Sequence, residues 1–276
     1  MSSKVNSMVS EIYFRKPLRF QGAIPVFSAP SEYTDNYERI SIDHLKSMQH
    51  NGSNPFIPED LWGQLDNSTI ALIKKYSKPG EKILDTGVGL GRLLSQASAL
   101  RRYGMDISFS YLEIAMTKGI EVCYARIEDM PYREEMFDIV VSTDVLEHVL
   151  DLNLCVAKIL SVLKSNGVLI VRVPYRENLS QYLQPEYPYK YVHMRNFDEH
   201  SLRLLFERLF ECEVIETVFG GDYLTPTYLK CPLSLKTYDR LERFLNLLKF
   251  VHERLYWAFV RKLYYTVEIN VVVKKY

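Results

Sequence analysis

The residues best placed to do chemistry begin at Asp85-Thr86-Gly87-Val88-Gly89-Leu90-Gly91, a glycine-rich turn between an apolar strand and a helix. Such a turn lets the backbone approach a ligand closely, where side chains would obstruct it. Asp106 ends the next strand about 20 residues on, where a carboxylate can accept hydrogen bonds from both hydroxyls of a ribose. Its plainer reading is a strand-end cap. The spacing is GxGxG, and Arg92 stands where a dinucleotide fingerprint has its third Gly or Ala. An arginine there would obstruct the tight helix–strand packing of nicotinamide enzymes, which disfavours hydride transfer.

A second group of candidates lies further along. Among six histidines, His148 follows a strand in Asp144-Val145-Leu146-Glu147-His148, and His193 follows the next strand. Ligands of open α/β sheets gather at that edge, so both imidazoles are candidate general bases. Either could instead be a packing residue, and His44, His50, His200 and His252 read as surface or packing residues. Two carboxylates and an imidazole at Asp144, Glu147 and His148 are also plausible metal ligands. Between the strand and His193 lie Tyr175, Tyr182, Tyr187, Tyr189 and Tyr191. Aromatic faces with hydroxyl tips suit a sugar or another flat polar acceptor, and equally a loop packed on the sheet.

The elements that must position these groups alternate. The pattern predicts strands at 82–85, 102–106, 120–124, 137–142, 167–173, 211–217 and 267–274. It predicts helices at 58–76, 90–99, 108–118, 151–164 and 198–209. Short apolar strands between amphipathic helices indicate a mostly parallel sheet covered on both faces. Residues 1–57 read as a polar, irregular segment, with Pro17, Pro25, Pro30 and Pro55 interrupting any long element. The core is expected at 58–225 and 264–276, with a helical insertion at 226–263 before the last strand.

Composition narrows the class. Basic and acidic residues balance at 34 each, whereas proteins that live on nucleic acid usually carry a basic excess, so such a substrate is disfavoured. The four cysteines, Cys123, Cys155, Cys212 and Cys231, form no CxxC pair, which fits reduced thiols in the cytoplasm. No stretch reaches the roughly 18 apolar residues of a membrane span. Within 234–262, seven basic residues outnumber the acids Asp239, Glu242 and Glu253, with Phe244, Phe250, Tyr256, Trp257 and Phe259 interleaved. That stretch suits packing on its own domain or a second subunit, and also the anionic inner face of a membrane.

The ordered motifs between Lys82 and Ile215 resemble the class I S-adenosylmethionine-dependent methyltransferases, in the broad group that includes ubiquinone and sugar O-methyltransferases. They are Lys82-Ile83-Leu84-Asp85-Thr86-Gly87-Val88-Gly89, Gly104-Met105-Asp106, Glu128-Asp129-Met130-Pro131-Tyr132, Phe137-Asp138-Ile139-Val140, Val145-Leu146-Glu147-His148-Val149, Leu163-Lys164-Ser165-Asn166-Gly167-Val168-Leu169 and His193-Met194-Arg195-Asn196-Phe197. The resemblance implies a Rossmann-like, mostly parallel sheet of seven strands with helices on both faces and an antiparallel last strand. It implies S-adenosylmethionine as cofactor and S-adenosylhomocysteine as product. Asp85, Gly87, Gly89 and Gly91 would surround the methionine part and Asp106 the ribose; Ile127 and Glu128 would meet the adenine. Thr143 and Asp144 would line the methyl end. The family's acidic residue before Glu128 is replaced here by Arg126, a departure that bears on the adenine contact. The segment around Tyr33, Tyr37 and His44 resembles a lid over cofactor and acceptor.

In ubiquinone-pathway relatives an acid-x-x-Glu-His stretch can bind a divalent metal, but Glu-His is widespread without one, and no metal is expected. Methyl transfer mainly requires a nucleophile held close and aligned. An alcohol also needs a base, worth about 10²–10⁴-fold. The expected activity is therefore O-methylation of a small molecule or glycan with His148 or His193 as base. N-methylation of an amino sugar or amine, and a non-catalytic cofactor-binding subunit, are the alternatives.

Overall fold

Short apolar runs bounded by turn residues build one nine-stranded sheet in the computed structural model, which describes residues 11–221, 229–231, 233–264 and 266–276. The strands are β1 (Arg19–Gln21), β2 (Ile24–Val26), β3 (Lys82–Asp85), β4 (Arg101–Asp106), β5 (Glu121–Tyr124), β6 (Phe137–Thr143), β7 (Leu163–Pro174), β8 (Glu213–Gly220) and β9 (Glu268–Lys274). Their order is β1-β2-β5-β4-β3-β6-β7-β9-β8. Strands β3 to β7 are parallel to their neighbours within that group, and β9 is antiparallel to both β7 and β8. The helices are α1 (Glu32–Asn51), α2 (Glu59–Tyr76), α3 (Arg92–Ser95), α4 (Phe109–Thr117), α5 (Leu152–Val162), α6 (Glu199–Arg203), α7 (Leu235–Val251) and α8 (Glu253–Leu263).

Alternation along the strands sorts the core onto two faces. Leu84, Val140, Leu169 and Val171 pack with Val156 and Ile159 of α5. Ile83, Val141 and Ile170 pack with Ile70 and Ile73 of α2 and with Leu112 of α4. Successive side chains of a strand point to opposite faces, which explains the division. Each fully buried aliphatic side chain of this kind contributes about 1.5–3 kcal/mol.

The sheet has nine strands rather than seven, because residues 19–51 are not irregular. Prolines bracket elements there instead of breaking them. Gly22, at φ 58°, turns β1 into β2, and β2 joins the sheet beside β5 through Val26 and Tyr124. Pro25 lies within β2, whose ladder to β5 is made only at Val26, so its missing N–H interrupts no run of pairing. No proline falls between Pro30 and Pro55, and α1 fills that gap, opened by a capping box between Ser31 and Thr34. Its buried stripe is Tyr33, Thr34, Asn36, Ser41 and His44, so helical periodicity is present in polar and aromatic residues rather than aliphatic ones.

Other boundaries also differ from expectation. Helix α3 is only Arg92–Ser95, since Ser95 Oγ donates back to Arg92 O at 2.7 Å and Gln96 N to Leu93 O at 3.1 Å, tightening the turn. The gap between the predicted helix 151–164 and the predicted strand 167–173 lies inside β7, which pairs with β6 from Leu163 and breaks register around Asn166, at φ 63°. Beyond Arg203 the predicted single helix widens into a π-helical turn over Leu204–Leu209.

One buried ionic junction ties the elements together. Arg172 on β7, 2% exposed, meets Asp144 beyond β6 (2.6 Å), Glu268 at the start of β9 (2.7 Å) and Asp66 on α2 (3.5 Å). The contact with Glu268 is ionic rather than an aligned hydrogen bond. Removing one partner from such a cluster leaves buried charge uncompensated, at a cost of about 3–5 kcal/mol. Arg172→Met is expected to lose about that much in urea denaturation; a loss below about 1 kcal/mol would show the carboxylates to be adequately served without it.

Candidate functional site

Parallel strands end in loops on one edge, and there the chain encloses a cavity of about 740 Å³, within the roughly 300–1,000 Å³ of small-ligand sites. Asp85, Gly87, Gly89 and Asp106 line it, as do Ile127, Glu128, Thr143 and Asp144. His148 and His193 line it too. Gly91 does not. It opens α3 at φ 69°, and a Cβ there would lie 2.6 Å from Ile120 Cδ1, so its place is between helix and sheet.

The glycine turn is braced by the two strand-end carboxylates. Gly87 N donates to Asp85 Oδ1 at 3.2 Å, and Gly89 N to Asp106 Oδ2 at 2.8 Å. Asp106 Oδ1 accepts from Ile107 N (2.8 Å) and Ser108 N (3.0 Å). Both oxygens of Asp106 are thereby fixed, while Oδ2 keeps a lone pair for a further donor. Burial pushes the Asp106 carboxyl up to about 6 and that of Asp85 to about 7, against the restraint of these N–H donors. At Gly87 a Cβ would fall 2.3 Å from Val145 Cγ2, so only glycine lets the turn pass under the β6 loop.

Arg92 turns away from the strand. Its guanidinium sits 3.7 Å over the Trp62 ring and pairs with Glu59 (2.7 Å) and Asp66 (3.2 Å) of α2, while Leu93 and Leu94 pack inward. Arg126 pairs with Glu128 at 2.8 Å, which neutralises that carboxylate beside Ile127. The Arg126 backbone N donates to Ser28 Oγ, itself bonded to Asp129, so the N-terminal segment buttresses this wall.

The two histidines meet. Their rings are perpendicular with centroids 4.4 Å apart. His148 Nδ1 is 3.0 Å from Tyr37 Oη of α1, and His193 Nδ1 is 2.5 Å from Glu177 Oε2. Tyr182 donates to the other oxygen of Glu177 at 2.7 Å. Asn36 Nδ2 donates to Tyr191 O, and Lys190 pairs with Glu32, which fastens the tyrosine loop to α1. Burial, with His193 adding to it, holds the His148 imidazole well below its ordinary value. His44, expected on the surface or in packing, is buried against the cavity with Nδ1 2.6 Å from Tyr111 Oη.

Glu147 is fully buried, and neither carboxylate oxygen has a hydrogen-bond partner among the described residues. Burial and the nearby Asp144 raise its carboxyl well above the ordinary range. Donor atoms of Glu147, His148 and His193 lie within 4.8 Å of one another, a set that could hold a metal ion. Asp144 does not join it; its Oδ2 turns to Arg172, and the backbone takes φ 56°. Sequence reasoning missed Glu177 and Arg172. An acid three residues past the end of β7, on the ligand edge, was the available signal for Glu177.

Residues 84–171 match a family described as a methyltransferase domain. An uncharacterised protein of Methanocaldococcus jannaschii is 32% identical over 111 residues, 40% of this chain and 53% of that protein. The tRNA (carboxymethyluridine(34)-5-O)-methyltransferase of Arabidopsis thaliana is 34% identical over 97 residues, 34% of this chain and 24% of the enzyme. The chain thus spans about half or less of these relatives' lengths. A SAM-dependent methyltransferase of Thermotoga maritima, described as a possible histamine N-methyltransferase, superposes with TM-score 0.56 at 19% identity, covering 88% of this chain and all of that one. A relative whose name specifies tRNA removes the force of the charge-balance argument against nucleic acid.

The depressed His148 makes a prediction about stability. An unfolded imidazole titrates at about 6.5, above the folded value, so acid favours the unfolded chain. The stability this group contributes is full above about pH 6.5 and is lost as pH falls below it. Urea melts at pH 7.5 and pH 5 are expected to show a smaller acid loss for His148→Gln than for the unaltered protein; equal losses would assign the acid sensitivity elsewhere.

Proposed function

We propose, on the premise that this chain carries the methyltransferase domain of the class I S-adenosylmethionine-dependent superfamily, that it methylates a hydroxyl group of a small molecule or glycan with His193 as general base. The observation that carries this reading is the contact between His193 Nδ1 and the Glu177 carboxylate inside the cavity. A carboxylate at Nδ1 holds the proton there and leaves Nε2 to accept one, the arrangement of an oriented general base. Tyr182 fixes Glu177 in turn. His148 is the weaker candidate, since burial lowers its basicity and Tyr37 occupies its Nδ1.

The cofactor-side residues fit S-adenosylmethionine. Asp106 offers a fixed carboxylate with a lone pair to spare for a ribose hydroxyl, and the glycine turn leaves room beside it. Ile127 and Glu128 would hold the adenine, with Asp85, Thr143 and Asp144 at the methionine end. When bound, the cofactor supplies an electrophilic methyl group. The chain's part is to hold the acceptor in line, exclude water and receive the hydroxyl proton at His193 Nε2. An amine acceptor would need no base, so the Glu177–His193 pair favours a hydroxyl.

A second reading rests on Glu147. A buried carboxylate without partners beside two imidazoles is a donor set for a divalent cation, which could assist deprotonation of the same hydroxyl.

Calorimetry on cofactor-free protein is expected to give micromolar binding of S-adenosylmethionine that Asp106→Ala abolishes. Because the ribose hydroxyls need an ionised acceptor, affinity should fall as pH drops through about 6. A folded preparation that binds nothing would end the methyltransferase reading.

With catechols and monosaccharides as acceptors and tritiated-methyl donor, His193→Gln should lower kcat by about 10²–10⁴-fold and leave cofactor affinity unchanged. Glu177→Gln should lower it less. Activity that survives EDTA supports the base alone; activity lost to EDTA and restored by Mg²⁺ or Mn²⁺ supports the second reading.

A further inference from the structure

The hairpin of α7 and α8 leaves an apolar surface uncovered among the described residues. Tyr238, Leu245, Tyr256, Val260 and Tyr264 form a small core of their own. Away from that core Phe244, Leu247, Phe250, Val251, Leu255 and Phe259 are exposed, Phe250 at 91% and Val251 at 70%. Phe244, Leu247 and Val251 follow i, i+3, i+7 along α7, and Leu255 and Phe259 follow i, i+4 along α8. The rings of Phe244 and Phe259 meet at 6.0 Å, so the two helices present one continuous face. Contiguous exposure of this kind marks an interaction surface.

Charge decides the partner. Lys236, Arg240 and Phe244 stand at steps of four, as do Arg243 and Leu247, so three exposed basic residues of α7 share the apolar face, while Lys249 lies over Tyr256. Asp239 borders that face, four residues before Arg243, and Glu242 lies outside it, so the face keeps a basic excess. A second copy docked about a two-fold axis would set that face against itself, opposing like charges. An anionic bilayer would meet the basic groups with headgroup charge and the apolar groups with acyl chains.

The hairpin's position gives the contact a purpose. Gly220, the last residue of β8, and Pro174, the last of β7, both pair with Glu268, the first of β9. The segment between β8 and β9 therefore leaves the sheet at the edge where Val267 and Glu268 line the cavity. No helix among the described residues is long and apolar enough to cross a membrane, so the contact is interfacial. We propose that the α7–α8 hairpin docks on an anionic lipid surface and holds the cavity's edge toward the bilayer. This inference stands apart from the methyltransferase reading.

The whole chain is to be sedimented with vesicles of phosphatidylcholine alone and of phosphatidylcholine with phosphatidylglycerol. Binding is expected only to the second, weakening as salt is raised. Phe250→Ser should weaken it by about tenfold or more. Arg240→Ser and Arg243→Ser should each weaken it by roughly fivefold. Thermal melting at the parent temperature shows that each variant is folded. No binding to the anionic vesicles, or equal binding to both, overturns the proposal. So does a dimer in sedimentation velocity that Phe250→Ser dissociates while vesicle binding is absent.

Discussion

A guanidinium buried among carboxylates is the constraint on which the rest of this molecule depends. Arg172 is in ionic contact with Asp66, Asp144 and Glu268, so β7, α2, the end of β6 and the start of β9 are held through one charge. Arg92 shares Asp66 with that guanidinium, and Asp85 and Glu147 add further buried acids to the same cavity wall. Burial raises both of those carboxyls because the charged form is poorly solvated there. A positive charge entering such a site would act in the opposite sense, favouring the ionised form of those acids.

Legibility followed chemistry of different kinds. Strand β3 was readable residue for residue, because Lys78-Pro79-Gly80 precedes it and the glycine turn follows. Asp106 was readable from spacing alone. Helix α1 was not, since its buried face is Tyr, Thr, Asn, Ser and His, which hydropathy treats as surface. The β1–β2 hairpin was hidden for another reason: two strands of three residues carry too few alternations to show a period. The role of Glu177 depends on a contact with His193, sixteen residues away, and its place just past β7 is the local sign of it.

The matched domain ends at residue 171, one short of Arg172. Within it lie the glycine turn, Asp106, Glu128, Asp144 and His148. Outside it lie α1, the tyrosine loop, Glu177, His193 and the α7–α8 hairpin. The part of the cavity inside the matched span is thus built from strand ends. The part outside it is assembled from a helix and a loop that precede and follow that span, and function resides in such sites rather than in the fold.

Helix α1 touches both parts. Glu38 accepts from Phe109 N, Ser110 N and Ser110 Oγ at the start of α4, next to Asp106, while Tyr37 and Asn36 reach His148 and Tyr191. A helix of 20 residues behaves as a stiff rod over that distance. Anything that tilts it to widen one chamber must loosen the other in the same movement. The two sides of the cavity are therefore mechanically coupled through a single beam rather than hinged independently.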